Sequence, residues 1–267
     1  MFKAFYGMKF NPFVKDLDIK HSFKTRDFEQ THNRLEFLKQ TKGIALITGE
    51  PGSGKSFALR SFVTNLNKNL YRNVYIPIST LTVKDFYRAL ASGLGQVPKH
   101  RKIDLFAQLQ ESIISYSEKN ITPLIIIDEA QFLSNSIFND LRIIFNFKMD
   151  SENPAILILS GQPPLITQLN RQPHEALRQR IVMNYSFKGM TKNETREYIY
   201  DRFRLAGLTD PLFTEDAIEL IHSSSNGLIR KVNSLINMTL LSAAKEKLKT
   251  IDSDFIFKAH NELELTI

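Results

Sequence analysis

Apolar and polar positions along the chain follow two different periods. Three short runs, Ile44-Ala45-Leu46-Ile47-Thr48, Leu124-Ile125-Ile126-Ile127 and Ala155-Ile156-Leu157-Ile158-Leu159, are apolar almost throughout, as strands buried on both faces of a parallel sheet must be. Residues 74–78 and 181–187 read as two more strands. Between these runs the apolar residues recur every three to four positions, the spacing of one buried helix face. Residues 28–39 carry Phe28, Leu35 and Leu38; residues 57–67 carry Phe57, Phe62, Val63 and Leu66; residues 104–116 carry Leu105, Phe106, Leu109 and Ile113. Further helices are expected at 83–94, capped by Thr82 and stopped by Gly95, at 136–147 and at 165–169. Strands alternating with helices predict an α/β domain whose parallel five-stranded sheet is covered on both faces.

Past Gly189 the pattern becomes purely helical. Thr191-Lys192-Asn193-Glu194 is a capping box opening a helix to about Ala206. Thr214 caps a second through about Ser223, residues 228–247 form a third, and Asp252 opens a fourth. We therefore expect two domains, α/β over 1–189 and a four-helix domain over 190–267. The aromatic opening, Tyr6-Gly7-Met8-Lys9-Phe10-Asn11-Pro12-Phe13, reads as a strap on the core of the first.

The turn after the first strand carries the chemistry. Gly49-Glu50-Pro51-Gly52-Ser53-Gly54-Lys55-Ser56 fits the P-loop pattern at every defined position, with the strand before it and the helix, from Phe57, after it. Glycines let backbone N–H groups fold around phosphates, and the helix N-terminus adds its positive end. Lys55 is expected on the β- and γ-phosphates of ATP and Ser56 on Mg²⁺. The third strand ends in Asp128-Glu129: Asp128 would hold hydrated Mg²⁺, and Glu129 would deprotonate the attacking water. Pro12 and Phe13 of the strap are expected beside the nucleotide base.

Composition narrows the setting. At 267 residues the chain can bury two cores. Having no cysteine, it has neither disulfides nor thiolate metal sites, which suits a reducing cytoplasm. No apolar run approaches the roughly 18 residues of a membrane span, so no membrane partner is expected. The formal charge of +7 makes a polyanionic partner plausible. The six histidines are scattered without ligand spacing and are assigned no chemistry. The phenylalanines fall mostly in apolar stripes and are read as core.

A P-loop domain with an Asp-Glu strand end and a helical lid resembles the AAA+ ATPases. Within that class, Tyr6-Gly7 with Pro12-Phe13, the run Ile127-Asp128-Glu129-Ala130-Gln131, and Leu159-Ser160-Gly161-Gln162-Pro163 followed by Gln179-Arg180-Ile181 resemble the general secretion pathway protein A (ExeA-like) family. That family is similar in turn to ATPase regulators of DNA transposition of the TnsC, MuB and IstB kinds. The resemblance implies that Ser160 or Gln162 is the γ-phosphate sensor, with the choice open because the usual Asn is absent. It implies that Arg180 is an arginine finger acting on a neighbouring subunit, with Arg178 competing, and that Arg230 is a second sensor in the lid. The extra helix between the second and third strands is similar to the insertion of initiator ATPases. Thr82, Lys84, Arg88, Lys99, Arg101 and Lys102 thereby become candidate contacts to DNA phosphates.

The function so implied is an ATP-dependent oligomer, a ring or filament on duplex DNA, that regulates transposition by selecting targets and recruiting a transposase. Two other readings stand beside it, a secretion-assembly ATPase and a replication-initiator or helicase-loading ATPase. The first would be expected to carry a membrane span and the second a helix-turn-helix or winged-helix module after the lid, and neither is seen before Ile267.

Overall fold

The structure, a computed structural model, describes residues 2–14, 19–77 and 80–264. A short helix α1 (Phe2–Tyr6) precedes α2 (Arg26–Thr41), which leads into β1 (Gly43–Gly49) and α3 (Lys55–Asn65). Then come β2 (Tyr71–Ile76), the two consecutive helices α4 (Val83–Gly93) and α5 (Lys102–Glu118), and β3 (Thr122–Ile127). After α6 (Asn135–Ile144) follow β4 (Ile156–Gly161), α7 (Pro164–Leu169), the single turn α8 (Glu175–Arg178) and β5 (Ile181–Phe187). The rest is helical: α9 (Lys192–Leu205), α10 (Glu215–Ser225), α11 (Ile229–Lys245) and α12 (Ser253–Glu264).

Among the described residues the five strands form one sheet in the order β2-β3-β4-β1-β5, and every pairing is parallel. The inner strands β1 and β4 are buried at every position, whereas the edge strand β5 largely alternates and β2 is half-buried over residues 71–73 and alternates only over 74–76. Edge position explains why β2 begins three residues earlier than its apolar run implied. Tyr71-Arg72-Asn73 pair with β3 although they look polar, because an edge strand need bury only one face. Ile78, expected in that strand, lies outside the described residues. Helix α6 stops at Ile144, short of the expected Phe147, which is extended, buried and bridged to Glu152. Phe86, Tyr87 and Leu90 of α4 share a core with Leu105, Leu109 and Ile113 of α5, so both helices of the insertion are seated in the same core as the sheet.

The chain divides into two compact units. One comprises residues 30–50 and 55–187 and holds the sheet. The other comprises residues 188–267 together with residues 1–29 and the loop tip 51–54. The opening strap, expected on the core of the α/β domain, thus belongs to the helical unit. Tyr6, Met8 and Phe13 are buried in the same cluster as Tyr198, Phe203 and Ile236, and the Tyr6 hydroxyl donates to the Leu248 carbonyl at 3.0 Å. Aromatic side chains read equally well as packing on either core, which is why sequence placed them wrongly. Helix starts follow the caps: Thr191 and Glu194 form the complete reciprocal box, and the Thr214 side chain accepts from Ala217 N–H. Asp27, 3% exposed at the start of α2, accepts the N–H groups of Lys188 and Gly189 at 2.7 and 2.9 Å and so fixes the first residues after β5 within the helical unit.

Candidate active site

Strand order builds the site. Because β4 lies between β1 and β3, the loops that follow β1 and β3 flank its end, the position at which a parallel sheet with this reversal of order binds ligands. In register, Leu159 is opposite Ile127, which brings the next residue, Ser160, level with Asp128. The fully buried Ser160 Oγ donates to Asp128 Oδ1 at 2.8 Å. Asp128 Oδ2 accepts from the Tyr75 hydroxyl at 2.9 Å and from Ser56 Oγ at 3.4 Å. The two residues expected at Mg²⁺ are therefore side by side. Tyr75 was missed, since nothing before the fold shows that β2 neighbours β3. Burial, and then the carboxylate it donates to, push the Tyr75 hydroxyl up to about 12, so it stays a donor across the working pH range.

In the P-loop, Gly52 and Gly54 have φ of +84° and +106°, backbone that favours glycine. Lys55 Nζ donates to the carbonyls of Gly49 and Glu50 at 2.6 and 3.0 Å, so a cation is held inside the loop. The Ser53 hydroxyl is buried without a hydrogen-bond partner. A buried cation, an orphaned hydroxyl and the N-terminus of α3 fit a polyphosphate. Glu50 and Pro51 are exposed and Phe57 is half-buried at the start of α3. A Cβ on Gly52 would come within 2.5 Å of Arg230 Cβ, and Arg230 N–H donates to the Gly52 carbonyl at 3.2 Å. Arg230 thus starts α11 against the loop tip 51–54.

Glu129 has φ of +52°, a left-handed turn that costs a non-glycine residue of order 1 kcal/mol or more. Its Oε2 accepts from Gln131 Nε2 at 2.6 Å and from Gln162 Nε2 at 3.3 Å. Of the two sensor candidates, Gln162 is the one that touches Glu129, and Ser160 is the one that touches Asp128.

Residues 38–169 match the family model for the AAA domain. This stretch is an AAA domain of the P-loop class. General secretion pathway protein A of Aeromonas hydrophila is 25% identical over 265 residues, covering 97% of this chain, which spans 48% of that protein. The ATP-dependent target DNA activator B of Escherichia phage Mu is 25% identical over 252 residues, 91% of this chain and 74% of that one. In fold, the crystal structure of Cdc6p from Pyrobaculum aerophilum aligns over 94% of this chain and 70% of its own with a TM-score of 0.69 at 18% identity.

Arg180 stands at the opposite edge of the sheet from the P-loop. It immediately precedes β5, whose first residue pairs with Ile44 at the start of β1, whereas the loop begins five residues later at Gly49. At about 3.3 Å per residue that is roughly 16 Å, beyond an arginine's reach. Its Nη1 donates to the Arg142 carbonyl at 2.7 Å, and it lines a small cleft with Phe145, Phe147 and Asn153. Arg178 Nη1 instead leans on Asn170 at the end of α7, at 3.3 and 3.4 Å.

Three of the remaining expectations are corrected. Phe13 is 2% exposed, edge-on to Phe203 and Tyr198 at 5.3 and 6.4 Å, and Pro12 beside it is buried, so this strap segment is helical core with no ring face left for a base. Thr82 uses its hydroxyl to cap α4, accepting from Asp85 N–H and donating to Asp85 Oδ2. Lys102 is 2.7 Å from the largely buried Asp140 and stacks over Tyr87, an ion pair that joins α5 to α6. Arg88 lies 3.8 Å from Asp85, while Lys84, Lys99 and Arg101 are exposed and their side chains make no ion pair among the described residues. No group of His, Asp and Glu there is arranged to hold a metal by itself, and no helix there is long and apolar enough to cross a membrane.

Proposed function

We propose that this chain is an ATP-hydrolysing, DNA-binding regulator of transposition that works as an oligomer. ATP is the substrate, its phosphates bound by the P-loop and Lys55. Ser56 and Asp128 would hold Mg²⁺, which when bound offsets charge on the β- and γ-phosphates. Ser160 fixes the orientation of Asp128 by occupying Oδ1. Glu129 takes the proton of the attacking water, and Gln162, bonded to Glu129, is the group that senses the γ-phosphate. Arg180 supplies the remaining positive charge to the site of a neighbouring copy. The observation that supports this reading is the position of Arg180, a full strand from its own P-loop and out of reach of phosphates bound there. Lys84, Arg88, Lys99 and Arg101 on the insertion would contact DNA phosphates without reading sequence.

Similarity to the phage ATP-dependent target DNA activator over nine-tenths of the chain supports the DNA-directed part of this reading; a transposase as the recruited protein and the cytoplasm as the setting complete the proposal. The secretion-assembly reading is favoured by a different observation, the match to General secretion pathway protein A over 97% of the chain. ATP turnover with and without duplex DNA, at low and high salt, separates them. Stimulation by DNA that fades in salt is expected, and Glu129→Gln should keep ATP binding and stabilise assemblies while losing turnover. No response to any DNA at low salt would favour the secretion reading.

A further inference from the structure

We propose that Gln131, which the P-loop pattern leaves without a role, is a positioning residue that clamps Glu129 for proton transfer; this rests on Glu129 being the base. Gln131 is 8% exposed and held at both ends. Its Oε1 accepts from Gln162 N–H at 3.0 Å, and its own carbonyl accepts from Gln168 Nε2 at 2.9 Å. A backbone N–H can only donate, so the orientation of the Gln131 amide is unambiguous and its Nε2 must face Glu129. The left-handed turn at Glu129 lets side chains two residues apart meet at 2.6 Å.

Two consequences of this clamp are visible. Glu129 Oε2 takes both amide donors, and Oε1 carries no hydrogen bond among the described residues, leaving one oxygen for the proton of water. Gly161 is also explained. Its backbone is not left-handed, yet a Cβ there would lie 2.6 Å from Gln131 Oε1 and 2.9 Å from Leu165 Cδ2. Glycine at 161 keeps the place that the amide occupies. The two nearest obstructing atoms are ends of flexible side chains, and the third, the Gln131 backbone N at 3.3 Å, has to give by only a few tenths of an ångström, so Gly161→Ala can fold and should displace the amide.

The test uses the full chain and compares steady-state turnover, MgATP affinity and thermal midpoint for wild type, Gln131→Leu, Gly161→Ala, Glu129→Gln and the double variant Glu129→Gln with Gln131→Leu. Mispositioning a base is expected to lower kcat about 30-fold in Gln131→Leu with MgATP affinity within about twofold of wild type. Gly161→Ala should lower kcat in the same direction at an unchanged midpoint. In the Glu129→Gln background Gln131→Leu should cost nothing further, because its effect is exerted through Glu129. Unchanged kcat in both Gln131→Leu and Gly161→Ala, multiplicative losses in the double variant, or a loss of affinity that accounts for the loss of rate would each overturn the proposal. A Glu129→Gln variant as active as wild type would instead overturn the reading of Glu129 itself.

Discussion

At the carboxyl edge of the sheet Asp128 takes hydrogen bonds from Ser160, Tyr75 and Ser56, and Glu129 takes two more from Gln131 and Gln162. At the amino edge of the same sheet, Arg180 rests on the Arg142 backbone carbonyl beside a cleft. The first edge has organised acids and donors within one chain; the second offers a charge that this chain cannot use on its own phosphates. On the proposed reading, separating them by a strand's length would make the response to ATP depend on a second copy. A protein built this way can make association and nucleotide state report on each other.

The sharpest way to break that contrast is to remove the finger. Arg180→Ala should lower ATP turnover by about 10³-fold while one chain's affinity for ATP is retained. Mixing it with Lys55→Ala should restore part of the rate, because each chain then supplies what the other lacks; a mixture no more active than its parts argues against action between copies. If Arg178→Ala gives the larger loss, the finger is Arg178.

A smaller effect probes the carboxyl edge. Ser160→Ala leaves Asp128 Oδ1 with one donor fewer, and the Mg²⁺ concentration for half-maximal turnover should rise about tenfold. Charge reversal of Lys99 and Arg101 should weaken duplex binding and reduce its salt slope by about 1 for each phosphate no longer neutralised, with basal turnover retained. A slope identical to wild type removes these residues from the DNA face.

The least effect is expected outside the contrast, in the helical unit, at Glu194. Burial works against its charge, but the N–H groups of Arg26 and Thr191 and the Thr191 side chain outweigh it and hold the carboxyl below its ordinary value. Its stabilising contribution is therefore present above the unfolded value near 4.5 and lost as pH falls through the lower folded value. Glu194→Gln should cost about 1 kcal/mol at pH 7 in urea unfolding, the usual worth of a cap, and the difference should vanish in acid.

Much of the fold and half of the site were legible because their signals are local. The P-loop, the Asp128-Glu129 pair and the caps Thr82, Thr191 and Thr214 are each set by neighbours a few residues away, and each is where its spacing implied. What failed was whatever depended on a distant partner. Phe13 looked free to stack on a base until its neighbours Tyr198 and Phe203 were known. Lys102 looked free to bind phosphate until Asp140 was placed beside it.

By itself, then, the sequence determined the elements, the phosphate loop and the two acids, because backbone propensity, capping and glycine's range of φ act within one turn or strand. Only the tertiary structure decided that β4 separates β1 from β3, that Ser160 serves Asp128 while Gln162 and Gln131 serve Glu129, and that Arg180 stands at the far edge from its own loop. Strand order is set by which apolar faces pack together across the whole domain, and no short stretch of residues contains that information.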